Sequence, residues 1–141
     1  MTTQLISPYG GNLVNLMVTG EDRETLVKYS NQLQSIKISP RALCDLELLA
    51  TGGFSPLDRF MGKADYENVL HNMHLMEGTL WPLPITLPVN PAELPAVGEE
   101  LVLRNVNNDP IAIMQIDEVF HWDPEIEALL AYGSNDARHP M

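Results

Sequence analysis

The sequence predicts an α+β fold, with helices in its first half and strands mainly in its second. Apolar residues recur at helical spacing up to about residue 73, and alternating or doubly apolar runs follow between residues 83 and 114. The 141 residues include 45% hydrophobic and 19% charged residues, as in globular proteins. A chain of this length can enclose one hydrophobic core, so we expect a single domain over residues 1–141.

A helix over residues 19–33 and a short strand are predicted first. Thr19 can cap the helix, with Asp22 at the reciprocal capping position, and acidic residues favour the positive end of a helix. Ile36 and Ile38 then flank a lysine, as in a short strand. The apolar face of the helix is expected to comprise Leu26, Tyr29 and Leu33.

Ser39 and Pro40 predict the start of a second helix, because serine caps a helix and proline suits its first position. Gly52-Gly53 ends it, since glycine adopts the left-handed conformation without a side-chain clash. If the φ of Gly53 is positive, its replacement should cost about 1 kcal/mol. The buried stripe is expected to comprise Leu43, Leu46, Leu49 and Ala50.

Ser55 and Pro56 predict another helix start, with Asp58 as the reciprocal cap of a short turn that Gly62 closes. Residues 64–73 then predict a third full helix, because their apolar residues follow the i, i+3, i+4, i+7 rule. The buried face of this helix is expected to comprise Tyr66, Val69, Leu70 and Met73.

Residues 83–89 predict a strand, because Ile85, Leu87 and Val89 alternate with other residues. The prolines at 82, 84 and 88 all occupy even-numbered positions. Because N–H groups of successive residues in a strand point to opposite edges, the donors that these prolines lack would all face the same edge of the strand. We therefore expect this strand to pair through its odd-numbered residues, with Ile85 and Leu87 in the ladder.

Residues 99–103 and 111–114 predict two strands joined by the turn cluster Asn107-Asn108-Asp109. The second strand is apolar on both faces, which favours a central position in a sheet. Asp123 and Pro124 predict a last helix that Gly133 stops. Its apolar positions are Ile126, Leu129 and Leu130, and the tail from residue 134 to 141 is polar.

The charge is distributed unevenly. Acidic residues outnumber basic ones 19 to 8, for a net charge of −11; residues 1–63 balance, with six of each sign, whereas residues 64–141 hold thirteen acids against Arg104 and Arg138. Because Lys and Arg bind phosphate backbones, a nucleic-acid partner is disfavoured. The imbalance indicates a solubilising acidic surface or, alternatively, a face that docks on a basic neighbour.

The sequence also disfavours a membrane-spanning protein, a secreted protein and a protein stabilised by internal disulfides. No run of about 20 apolar residues is present, and the N-terminus lacks the basic and apolar regions of a secretory signal. The one cysteine, Cys44, excludes an internal disulfide and a multi-Cys zinc site, and a cytoplasmic location fits. We expect Cys44 to be a small packed thiol rather than a nucleophile.

Two short patterns could carry chemistry, but neither suffices. His71 and His74 match H-x-x-H, yet a zinc site needs a third protein ligand and none is indicated nearby; we expect solvated or capping histidines. Arg104-Asn105 is the second pattern. No phosphate-binding glycine loop or G-x-S-x-G turn is present, and Trp81 and Trp122 are expected to pack rather than stack on bases.

Residues 41–61, RALCDLELLATGGFSPLDRFM, closely resemble the N-terminal region of ATP sulfurylases (sulfate adenylyltransferases). Residues 65–70 (DYENVL) and 78–87 (GTLWPLPITL) are similar to the same region. The opening PYGGNL resembles the family's Pro-His-Gly-Gly-x-Leu start, with Tyr9 in place of histidine. Residues 111–119 and His139-Pro140 also fall where the family has an Ile/Leu-rich strand and a His-Pro pair, so the resemblance covers nearly the whole chain.

The resemblance implies a PUA-like pseudo-barrel of mostly antiparallel strands with several flanking helices. It also implies a scaffolding or interdomain role beside a C-terminal catalytic nucleotide-binding domain, which this chain lacks. The full enzymes use ATP and magnesium to adenylylate sulfate, releasing pyrophosphate. A structural or interdomain family motif is implied at Asp45, Gly52, Gly53, Phe54, Ser55, Pro56, Phe60 and Met61.

The family's catalytic signature, Gln-x-Arg-Asn-Pro followed by His-x-x-His, is absent. Arg104-Asn105 has Val102 at the glutamine position and Val106 at the proline position, and His71 and His74 precede it. No catalytic, cofactor-binding or metal-binding residue is therefore assigned, and we expect the 141 residues by themselves to be inactive. The motif around Gly52 is expected either to face another domain or merely to close this domain's own core.

Expected partners are the catalytic domain of the same polypeptide and further copies of the chain in a homo-oligomer, with no nucleic acid and no membrane. The alternative functions are a free-standing PUA-like binding module for RNA or protein and a self-sufficient small enzyme. Fold analogy alone supports the RNA module, and the net charge of −11 opposes it.

Overall fold

The computed structural model describes residues 7–133. These residues form α-helices and β-strands in the order expected of the predicted α+β class, with two single-turn 3-10 helices, Tyr9–Gly11 and Pro91–Glu93. The helices are α1 (Gly20–Ser30), α2 (Pro40–Thr51), α3 (Lys63–Asn72) and α4 (Pro124–Tyr132), and the strands are β1 (Ser35–Lys37), β2 (Glu100–Arg104) and β3 (Pro110–Gln115).

The chain divides into two compact units. The first unit comprises the residues up to 60 together with residues 100–115, and it therefore contains α1, α2 and the three strands. The second comprises residues 61–99 and those from 116 onward, and it contains α3 and α4.

The first unit is built on a mixed sheet of order β1-β2-β3. β1 runs parallel to β2, with Ile36 opposite Leu103, and β3 runs antiparallel to β2, with Ile113 opposite Val102. Leu101, Val102 and Leu103 of β2 expose none of their surface, so β2 is the centre of this unit's core. The expected central position of residues 111–114 is wrong, because apolar side chains on both faces do not require pairing at both edges, and β3 is an edge strand of the described sheet.

α2 forms as predicted. The Ser39 hydroxyl accepts a hydrogen bond from the Ala42 N–H at 3.1 Å, Pro40 occupies the first turn, and Gly52 ends the helix in the left-handed conformation. Of the predicted stripe Leu49 is buried, while Leu43, Leu46 and Ala50 are half-buried.

α1 forms within its predicted range but differs in its details. Thr19 makes no capping side-chain hydrogen bond, and Ser30 is the buried residue of the helix. Leu26 and Tyr29 are exposed, and the Tyr29 hydroxyl donates to Glu100 at 3.2 Å. The predicted capping box and buried face are therefore wrong, because the helix packs on the sheet through few of its apolar side chains.

In the second unit, α3 buries three of its four predicted residues: Tyr66, Val69 and Leu70. Met73 instead ends the helix with a φ of 59° and is exposed, so its place on the buried face was predicted wrongly. The Tyr66 ring lies 5.1 Å from that of Phe120.

α4 is capped as predicted, since the Asp123 carboxylate accepts hydrogen bonds from the N–H groups of Glu125 and Ile126. Gly133 ends it with a φ of 71°. Ala128 is the helix's buried residue, whereas its larger apolar residues Ile126, Leu129 and Leu130 are exposed.

Residues 83–89 contain no strand, and neither Ile85 nor Leu87 makes a ladder hydrogen bond. The Met61 N–H donates to the Ile85 carbonyl at 2.8 Å, and the Ile85 N–H donates to the Met61 Sδ at 3.5 Å. The prediction that residues 83–89 form a strand that pairs through its odd-numbered residues is therefore wrong. Closely spaced prolines remove N–H donors and fix φ, and burial of the Ile85 side chain takes the place of strand pairing.

The described sheet is open, with one parallel and one antiparallel pairing. The expected pseudo-barrel of mostly antiparallel strands is accordingly not confirmed over residues 7–133, because residues 83–89 do not join the sheet. The expectations for the tail after Gly133, including His139-Pro140, lie outside the described residues.

Within residues 7–133, each helix is too short or too polar to cross a membrane.

Leu103→Ala should lower the free energy of unfolding by about 2–5 kcal/mol, because it removes methyl groups from a side chain with no exposed surface. Leu16→Ala is the matched control in the same unit; its side chain is 46% exposed, so the loss should stay below about 1 kcal/mol. Urea unfolding followed by circular dichroism measures both. Equal losses would contradict the assignment of β2 as the core strand.

Candidate functional site

The family motif predicted from the sequence is spread over both units. Asp45 lies on α2 and is half-buried, and the segment after α2 turns sharply through residues 52–58, which we call the corner. Phe60 ends this stretch of the first unit, and Met61 begins the second. The motif residues therefore belong to two different units of the described chain.

Gly52 is the position in the corner that requires glycine. Its φ is 92°, and a Cβ there would lie 2.7 Å from both Leu13 Cδ1 and the Val14 carbonyl oxygen. Gly53 lies outside the positive-φ region, so the argument that its replacement costs about 1 kcal/mol does not apply. Its added Cβ would meet the flexible end of Leu48 at 2.6 Å, which can move at low cost.

Ser55 holds the corner together with its hydroxyl, which is buried. The Oγ donates to the Gly52 carbonyl at 2.7 Å and accepts from the Val14 N–H at 3.0 Å. The Ser55-Pro56 peptide is cis, and no helix begins there. The predicted cap at Ser55 is therefore wrong, because this hydroxyl bonds backbone groups of two other segments instead of an N–H in a following turn.

Residues 8–16 run along the corner and are fixed by it. A Cβ on Gly10 would lie 2.7 Å from Pro56 Cγ, so the backbone there approaches the proline ring closely. The Leu16 N–H donates to the Ala50 carbonyl at 2.8 Å. Together with the contacts of Gly52 and Ser55, these make the corner an anchor for the preceding segment.

The ionisable residues of the motif region have specific surroundings. Burial raises the pKa of the Asp45 carboxyl, and the positive charge of Arg41 opposes that rise. The side-chain hydrogen bond from Arg59 lowers the pKa of Asp58. Asp58 and Arg59 are 2.9 Å apart and more than half exposed, so this pair contributes little to stability.

Phe60 is half-buried and Met61 is buried. Met61 bonds to Ile85 through both its N–H and its sulfur. The next residue, Gly62, is closely approached by Glu118, whose Oε2 would lie 2.9 Å from an added Cβ. These contacts fix the start of α3 within the second unit.

Both histidines of H-x-x-H are exposed, and the His74 Nδ1 lies 2.6 Å from the Asn72 carbonyl oxygen. In the described part of the chain, no three His, Cys, Asp or Glu side chains are grouped so as to hold a metal ion.

Arg104 and Asn105 shape the β2–β3 turn. The Asn105 Oδ1 accepts from the N–H groups of Asn107 and Asp109 at 3.0 and 2.9 Å, and Arg104 donates to the Asn108 carbonyl. This pattern therefore has a structural role in the hairpin.

Trp81 is buried, as expected of a packing residue. Trp122 is 42% exposed, and its Nε1 donates to Glu127 at 2.9 Å. Trp122 is therefore only partly packed, and its indole N–H bonds a carboxylate.

Sequence reasoning missed an open groove of about 980 Å³ in the first unit. Cys44 lines it and is exposed, so the expectation of a packed thiol is wrong. The apolar run at residues 16–18 was the available signal, but short apolar runs are ambiguous before their surroundings are known. The groove is lined by α1, α2, β3 and residues 16–18, chiefly through Leu16, Met17, Leu26, Val27, Leu48 and Ile111.

A family model described as a PUA-like domain matches residues 6–141. Sulfate adenylyltransferase from Symbiobacterium thermophilum is 39% identical over 142 residues, which cover 99% of this chain and 36% of the relative. The sulfate adenylyltransferase of Staphylothermus marinus is 38% identical over 135 residues, covering 94% of this chain and 35% of that protein.

A solved structure also matches. The hexameric APS kinase from Thiobacillus denitrificans aligns with a TM-score of 0.70 and 40% identity, over 79% of this chain and 23% of that one. The chain thus spans about a third of the length of its curated relatives. The resemblance to the N-terminal region of sulfate adenylyltransferases is confirmed.

Gly52→Ala and Gly11→Ala form a matched pair, since both glycines have a φ near 90° but only Gly52 is closely approached. Gly11→Ala should lower the unfolding free energy by about 1–2 kcal/mol through backbone strain alone. Gly52→Ala should cost at least about 1 kcal/mol more, because the new methyl group is overpacked. Urea titrations measure both, and equal losses would show that the close approach to Leu13 and Val14 is unimportant.

The pKa of Asp45 should lie above the ordinary value of an aspartate carboxyl and rise further in Arg41→Ala, since burial remains while the attractive charge is removed. NMR titration of the carboxyl measures both, with Lys28→Ala as the control. A raised folded-state pKa means that the ionised carboxyl destabilises the fold above that pKa, and that this cost disappears as pH falls to the unfolded value. An unchanged Asp45 titration in Arg41→Ala would contradict the assigned charge interaction.

Proposed function

Since the chain belongs to the PUA-like domain family, we propose that it is the non-catalytic N-terminal domain of a sulfate adenylyltransferase. The observation that supports this most strongly is its match to these enzymes along nearly all of its own length and along only about a third of theirs. The remaining two thirds of such a polypeptide would contain the catalytic nucleotide-binding domain.

The reaction of the whole enzyme would join ATP and sulfate. A sulfate oxygen attacks the α-phosphorus, the bond from that phosphorus to the β-phosphate's bridging oxygen breaks, and adenosine 5′-phosphosulfate and pyrophosphate are formed. ATP and magnesium would bind the catalytic domain. Basic groups there would neutralise the charge that grows in the transition state.

Within this domain the family motif would serve as scaffolding. Gly52 and Ser55 fix the segment before α1, and Met61 fixes the start of α3 through Ile85. None of these contacts requires a reacting group. The motif residues proposed for this structural role are Asp45, Gly52, Gly53, Phe54, Ser55, Pro56, Phe60 and Met61.

The proposal extends to the setting of the domain. Residues 1–141 would act as one domain whose described sheet completes a PUA-like pseudo-barrel in the full-length protein. The enzyme would be cytoplasmic, and it would assemble as a homo-oligomer, as the hexameric relative does. A net charge of −11 disfavours a nucleic-acid partner.

A chimera tests the function. Replacing the matched 36% of the Symbiobacterium enzyme with this chain should retain sulfate-dependent release of pyrophosphate from ATP. The isolated 141 residues should show none, and the relative with its matched part deleted is the control for loss of the domain. Turnover by the isolated chain would favour a self-sufficient enzyme, and tight, salt-dependent RNA binding would favour a free-standing RNA module.

A further inference from the structure

The groove in the first unit is apolar and open to solvent. Seven large apolar side chains that line it are between 36% and 59% exposed. Val102 of the central strand lies at its lining with no exposed surface, so the groove reaches the core of the unit. The seven residues are Leu16, Met17, Val18, Leu26, Val27, Leu48 and Ile111.

We infer that this groove receives an apolar segment from the catalytic portion of the same polypeptide. The inference rests on the proposed function and names the surface through which the domain would be joined to the catalytic part. Exposed apolar patches of this kind mark interaction sites, because water disfavours leaving contiguous apolar surface uncovered.

The lining determines the chemistry of the occupant. Arg23 and Glu47 are the charged residues of the groove, one of each sign. A single arginine does not provide the multiple cationic contacts that a phosphate backbone needs. Leucine, isoleucine, valine or methionine side chains from another segment would instead gain from burial there.

Covalent linkage separates the two polypeptide sources. The relatives extend well beyond the matched region, since the chain covers only 36% of the Symbiobacterium enzyme. A segment of the same polypeptide meets the groove at a far higher effective concentration than a second copy does. Such a segment is therefore the favoured occupant over a second copy.

Cys44 provides a built-in probe of the groove. It is the single cysteine of the 141 residues, it is exposed, and it lines the groove. Trypsin releases it within residues 42–59, between Arg41 and Arg59. Its alkylation by iodoacetamide can therefore be quantified by mass spectrometry even in a chimera that contains other cysteines.

The experiment compares Cys44 alkylation rates in the isolated chain and in the active chimera. Coverage of the groove should slow the rate at least about tenfold in the chimera, as expected when access requires local opening. Val27→Asp in the chimera should restore the rate of the isolated chain, because a carboxylate in the groove opposes apolar docking. Val106→Asp is the control, since Val106 is 61% exposed in the β2–β3 turn outside the groove, and it should leave alkylation slow.

The outcomes distinguish this inference from the proposed function. An active chimera in which Cys44 reacts as fast as in the isolated chain would overturn the groove assignment while the proposed function stands. An inactive chimera would overturn both. Alkylation of the isolated chain that slows as its concentration rises would identify a second copy as the occupant and overturn the inference, and circular dichroism of the isolated Val27→Asp chain checks that this variant folds.

Discussion

Burial of the central strand is the constraint on which the first unit depends. β2 pairs along one edge with β1 and along the other with β3, and Leu101, Val102 and Leu103 are completely enclosed. Because β1 comes from early in the chain, the parallel pairing joins residues that are more than 60 positions apart, such as Ile36 and Leu103. The positions of α1 and α2 follow from this pairing, since they flank β1 in the sequence.

The corner fixes the segment before α1 through contacts with its backbone. The Ser55 hydroxyl joins the end of α2 to Val14, and Gly52 admits the backbone of Val14 at a distance that another residue would prevent. The segment fixed in this way continues into Leu16 and Met17, which form one wall of the groove. The block of residues 41–61 therefore shapes this apolar surface in two ways, directly through the α2 residues that line the groove and indirectly through the corner.

Charge and exposed apolar surface are distributed differently along the chain. The excess of acid lies in residues 64–141, whereas the groove belongs to the first unit and has one charge of each sign. The acidic part favours solubility and disfavours phosphate backbones. The near-neutral groove is suited to contacts within a polypeptide, because its exposed lining consists mainly of apolar side chains.

The sequence alone determined the features that are set by neighbouring residues. The caps at Ser39 and Asp123 and the turn between β2 and β3 depend on hydrogen bonds over a few positions, so their residue types predict them. The family resemblance was likewise readable from residues 41–61. Tertiary structure decided what depends on distant partners: Ser55 bonds Val14 across 41 positions, Ile85 meets Met61 instead of a strand, and Cys44 lines a groove. Periodicity indicates which residues are apolar, but which of them are covered depends on what the rest of the chain brings beside them.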